Sequence, residues 1–120
     1  MTSIKNAPSI QTQQQRVTDE LGKATRSLHM GINELVDRFD TRVGEQLFRA
    51  FGLTLTLEGA HAGERFLREH SDSIGAMSPS QQAAFRSVLS DSKEVAALKD
   101  ESARLATLPS LQALLNRIGV

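Results

Sequence analysis

Glu58 and His61 stand three residues apart, and Glu64 lies three further on. On one helix that spacing turns a carboxylate and an imidazole to the same side, the arrangement by which helical bundles hold a pair of metal ions. Such a site needs the Glu-x-x-His pair twice, with two more carboxylates on facing helices, and the chain has no second copy. These residues therefore read as surface charge, and no metal or other cofactor is expected. His70, Ser71 and Asp72 are the residue types of nucleophilic catalysis, but neighbours in sequence do not make the mutual geometry that such catalysis needs, and no nucleophile elbow accompanies them. His70 is better read at a helix end, where a partly positive imidazole complements the dipole. His29 has no partner at ligand spacing. The stretch Gly59-Ala60-His61-Ala62-Gly63 lacks the glycine pattern and the lysine of a phosphate-cradling loop, so a tight turn or close helix packing explains it better. A small enzyme with a site dispersed over Glu, His and Arg residues is the weakest of the functional readings.

The elements that would position these residues are helical. Val17, Leu21, Ala24, Leu28, Ile32, Leu35 and Phe39 recur at alternating steps of four and three, which at about 100° per residue places them within roughly 80° of one another. One long amphipathic helix is expected over about 17–39. Asp40 or Thr41 can cap a second helix carrying Val43, Leu47, Ala50 and Phe51. A third runs from about Gly59 to His70, anchored by Phe66 and Leu67, and a loop over 71–79 offers Ile74 and Met77 to the core. Ser78 and Pro79 are an N-cap and a first helical residue for a helix with Ala84, Phe85, Val88 and Leu89, broken by Ser90-Asp91-Ser92. A helix with Val95, Leu98 and Leu105 follows, and Pro109 separates it from a last one with Leu111, Leu114, Leu115 and Ile118. The fold class is all-α: a single domain over 17–120, a small bundle of about five helices.

Leu53-Thr54-Leu55-Thr56-Leu57 is the exception, since it alternates with period two. Two readings stand. As an exposed edge, Leu53, Leu55 and Leu57 would pair with another chain by strand addition; as an extended connector, they would drop into the helical core. A lone strand has no sheet to join within the chain, which favours the connector. The stripe of the long helix offers a parallel choice between an internal seam and a homodimer interface, and the segments after it carry enough apolar residues to cover it. Met30 interrupts the polar side of that helix and joins the three leucines as a candidate partner-binding residue.

Composition narrows the function. The 120 residues include 14 basic and 14 acidic side chains, seven of each sign on either side of residue 60, so no nucleic-acid or anionic-membrane surface is expected. Cysteine is absent, which removes disulfides, thiolate metal sites and cysteine nucleophiles. No apolar run is long enough for a membrane span, and the N-terminus has no hydrophobic segment of the secretory-signal kind. The chain is expected in the cytoplasm, or to leave it by a route that uses no such signal.

Residues 1–16 (MTSIKNAPSIQTQQQR) are polar, with Pro8 and the run Gln13-Gln14-Gln15, and read as a disordered tail. Ile4 is aliphatic, Ser3, Asn6, Ser9, Gln11 and Thr12 add polarity, and the first acidic residue is Asp19. In this the tail resembles the export signals of bacterial type III secretion substrates, especially effectors of plant-associated bacteria. The resemblance covers about an eighth of the chain and is one of composition. It implies a small effector or secretion regulator, made in the bacterial cytoplasm, secreted into a host cell, and acting by binding a host protein or a component of the secretion apparatus. The alternative is a cytoplasmic adaptor or chaperone that dimerises through its long helix.

Overall fold

The computed structural model describes residues 10–119, and among them the regular structure is helical, with no strand. Five α-helices follow one another: α1 (Ile10–Leu35), α2 (Arg42–Glu58), α3 (Ala60–Glu69), α4 (Ser71–Gly75) and α5 (Pro79–Arg117), with a 3-10 turn at Val36–Arg38 after α1. The chain forms two compact units, one drawn from Ala24–Ala96 and the other from Met1–Lys23 with Ala97–Val120.

The unit over Ala24–Ala96 is organised around phenylalanine. Phe39 stacks on Phe48 with ring centroids 4.8 Å apart, and Phe85 meets Phe39, Phe48 and Phe51 at 5.6, 5.3 and 5.3 Å. Phe66 extends the cluster through Phe51, so all five phenylalanines of the sequence belong to it. Leu28, Val36, Leu55, Ala84 and Val88 are buried with them. Phe39 is thus a core residue as its stripe position predicts, although the long helix ends at Leu35 and Phe39 follows the 3-10 turn in extended backbone. Side-chain amides fasten the connections: Gln81 Nε2 donates to the Arg38 carbonyl and to Asp40 Oδ1, and Gln82 Nε2 to the carbonyls of Gly75 and Met77.

The caps are local in origin. Thr41 Oγ1 accepts from Gly44 N at 3.0 Å and starts α2. Gly59, at φ +97°, ends it by donating its N–H to the carbonyls of Thr54 and Leu55, a backbone conformation that glycine adopts without a Cβ penalty. Ser78 Oγ accepts from Gln81 N at 3.3 Å in front of Pro79, the first residue of α5. Close approach uses two further glycines: a Cβ on Gly52 would lie 2.8 Å from Ile32 Cγ2, and one on Gly63 would overlap Leu55 Cδ2.

Three expectations are corrected. Residues 53–57 are neither strand nor extended connector but the last turns of α2; the threonine hydroxyls that suggested a strand donate back to the carbonyls of Ala50 and Gly52, each at 2.9 Å. Ser90-Asp91-Ser92 and Pro109 do not interrupt α5, and the loop after α3 holds the short α4. Ser92 is small enough to be buried on the α5 face that carries Phe85, Val88 and Val95. Residues 10–16, expected in the tail, belong to α1, which begins at Ile10; residues 1–9 lie outside the described residues.

The second unit explains why. Val17, Leu98 and Leu105 are buried there, Arg16 Nη2 binds Glu101 Oε2 at 2.8 Å and its Nη1 binds Glu20, and Gln14 Nε2 donates to the Leu105 carbonyl at 3.1 Å. Hydrogen bonds to Glu101 and Glu20 push the Arg16 guanidinium above its already high ordinary value, so it stays charged. The Gln14 contact has a chemical reason. Pro109, four residues past Leu105, has no N–H to give to that carbonyl, and the amide of Gln14 replaces it.

Candidate functional site

The residues that suggested catalysis or metal binding are kept apart. Gly59 separates Glu58, exposed at the end of α2, from His61, exposed on α3, so the two do not share a helix face. Glu64 faces Lys93 instead, with Oε1 3.8 Å from Nζ. His70 Nδ1 lies 3.0 Å from the Phe66 carbonyl and its ring stacks on Phe66 at 4.2 Å, which commits it to the end of α3, while Ser71 and Asp72 are exposed. Among the described residues no group of three or more His, Asp or Glu side chains could hold a metal ion. No described helix is long and apolar enough to cross a membrane.

The four partner-binding candidates divide. Leu55 is 3% exposed and belongs to the core, packed where Gly63 of α3 comes closest. Leu53 and Leu57 are 60% and 73% exposed, and Met30 on α1 is 57% exposed. The split follows from the helix: residues two apart, which share one face of a strand, lie on opposite sides of a helix. Leu53 and Leu57, four apart, stay together.

They are the end of a longer strip. Val43 is 73% exposed, and Gln46 and Ala50 are exposed too, so Val43, Gln46, Ala50, Leu53 and Leu57 alternate steps of three and four along the whole outer side of α2. Val43 and Ala50, expected to serve the core, lie here because Gly44, Phe48, Phe51, Gly52 and Leu55 form the inner side instead. Beside the strip, between α1 and α2, is a cleft of about 320 Å³ lined by His29, Ile32, Asn33, Arg49, Gly52, Leu53 and Thr56. Gly52 lets Ile32 close on the α2 backbone there. Arg49 Nε binds Glu45 Oε2 at 3.0 Å, which leaves Nη1 and Nη2 without a protein partner among the described residues. The side chains of His29 and Asn33 have none either. The cleft thus joins apolar walls to unpaired hydrogen-bonding groups, and no carboxylate lines it. Arg49, Asn33 and His29 carry no motif, but the heptad spacing of 43, 46, 50, 53 and 57 is readable in the sequence once 53–57 is taken as helical.

A second apolar surface, of Leu114, Leu115 and Ile118, is exposed toward the end of α5. Comparison of the chain with protein-family models, with curated proteins and with solved structures finds no match.

Proposed function

We propose that the chain is a non-enzymatic protein-binding module that meets its partner through the outer side of α2. The observation that carries this reading is the exposure of Val43, Ala50, Leu53 and Leu57 on one strip beside a cleft with unpaired polar groups. Isolated exposed leucines are ordinary on a protein surface; a strip of them at coiled-coil spacing is a site where another chain gains by covering it. Val17, Ala24 and Leu28 on the stripe of α1 are buried, which favours α2 over α1 as the face left for a partner.

The composition of the first residues supports placing this module among the small substrates or regulators of a type III secretion system, binding a host protein or a part of the apparatus. Two experiments test the two halves. Residues 1–16 fused to a reporter should direct its export by a type III system, and a reporter that stays in the cell removes the secretion reading. A photo-crosslinking residue placed at Leu57 in the producing bacterium or in host cytosol should give discrete adducts that Leu53→Lys suppresses, while one placed at exposed Ser87 should not. Equal labelling at the two positions removes the assignment of α2.

A further inference from the structure

We propose that the α2 face receives a helix that is apolar along one side and acidic along the adjoining flank, with its carboxylates meeting Arg42 and Arg49. The inference rests on the binding role given to this face above and names the chemistry of the partner.

The shape of the strip selects a helix. Its five residues cover the fourteen-residue advance from Val43 to Leu57, about 21 Å at 1.5 Å per residue, the length of four helical turns. A straight seam of alternating three- and four-residue steps is matched by the side chains of a second helix, which enter the spaces between its own.

Charge selects which helix. On the wheel of α2, Arg42, Arg49 and Thr56 follow one another at seven-residue steps along one edge of the strip, and Leu47 and Thr54 form the other edge. The arginine edge borders the cleft, since Arg49 and Thr56 line it together with His29 and Asn33 of α1. Arg42 has no hydrogen bond or ion pair among the described residues, and Arg49 has spent only its Nε on Glu45. A carboxylate on the incoming flank would meet the free end of Arg49 in the bidentate geometry that guanidinium offers, with the Asn33 amide within the same cleft. A second copy of this chain answers that edge poorly. Antiparallel pairing of two α2 strips sets arginine edge against arginine edge, and parallel pairing sets Arg42 and Arg49 against Leu47 and Thr54; neither brings a carboxylate.

The test uses the full chain and two synthetic helices of about four turns, both with leucine along one side, one flanked by glutamate and the other by lysine. Fluorescence anisotropy at low salt should show the glutamate helix binding about tenfold more tightly or better, with the preference shrinking as salt is added. The variant Arg42→Glu with Arg49→Glu should invert the preference, and Leu53→Lys with Leu57→Lys should abolish binding of both helices; the melting curves of both variants should match the parent. Equal affinity for the two helices, binding of neither, or a glutamate preference that survives the arginine replacements overturns the inference. So does sedimentation of the chain as a dimer that Leu57→Lys dissociates, since a second copy would then cover the strip. Leu57 crosslinks that form while the two helices bind equally leave the binding face in place and remove only its acidic partner.

Discussion

Phe85 touches three other rings, more than any other phenylalanine, and is 1% exposed. Truncating it removes contact from Phe39, Phe48 and Phe51 together, and Phe85→Ala is expected to cost about 3–5 kcal/mol in chemical denaturation, enough to unfold a marginal domain. Phe39→Ala, which frees two rings, should cost toward the lower end of that range and Phe39→Leu much less. A nearly neutral Phe39→Ala would mean that the ring is exposed in solution. The glycines give a contrast of sign at the same scale. An added Cβ at Gly31 meets only ordinary contacts, at 3.5 Å from Val88 and Asp91, so Gly31→Ala should stabilise by up to about 1 kcal/mol through helix propensity. At Gly63 the same methyl would overlap buried Leu55, and crowding of about 1–3 kcal/mol should outweigh that gain. Thermal melts of the two alanine variants should therefore move in opposite directions.

At the scale of elements, α2 shows what was legible in the sequence and what was not. Its start was, because Thr41 is a cap whatever the helix packs against, and so was the start of α5 at Ser78 and Pro79. The end of α2 was not. Threonine between leucines gives an alternation that suits a strand, and Gly52 looks like a stop; only the neighbouring helices reveal that Gly52 admits Ile32 and that the threonine hydroxyls bond within the helix. The candidate surface suffered the same error, since a strand puts Leu53, Leu55 and Leu57 on one side and a helix buries the middle one. A pair of lysine variants checks the assignment. Leu55→Lys would place a charge in the core without a counter-ion and should lower the midpoint of the circular-dichroism melt sharply, whereas Leu53→Lys should leave it within the few tenths of a kcal/mol usual for surface changes. Similar melts for the two would contradict the helical phase of this segment.

At the scale of the whole chain, Gln14 and Leu105 are 91 positions apart, and their hydrogen bond ties the first described turns to the last long helix. Composition could not reveal this. A glutamine run and a proline read locally as disorder and as a helix stop, and neither reading foresees a bond from Gln14 to the Leu105 carbonyl. Deletion of residues 1–9 should leave the melt unchanged, whereas a chain starting at Val17 loses Gln14 and Arg16 and should melt lower; equal melts would return the whole of 1–16 to the tail. The link itself is open to a double-mutant cycle. Gln14→Ala leaves the Leu105 carbonyl without its donor and should cost about 0.5–1.5 kcal/mol. Pro109→Ala supplies an N–H at the right place in α5 and removes a residue that is costly in a helix interior, so it should stabilise. Once that N–H is present the carbonyl no longer depends on Gln14, and Gln14→Ala in the Pro109→Ala background should cost measurably less, a coupling of about 0.5–1 kcal/mol. Strict additivity in denaturant unfolding would show that Gln14 does not answer the amide that proline lacks, and that the beginning of α1 is held by other contacts, among them the burial of Val17 and the Arg16 ion pairs.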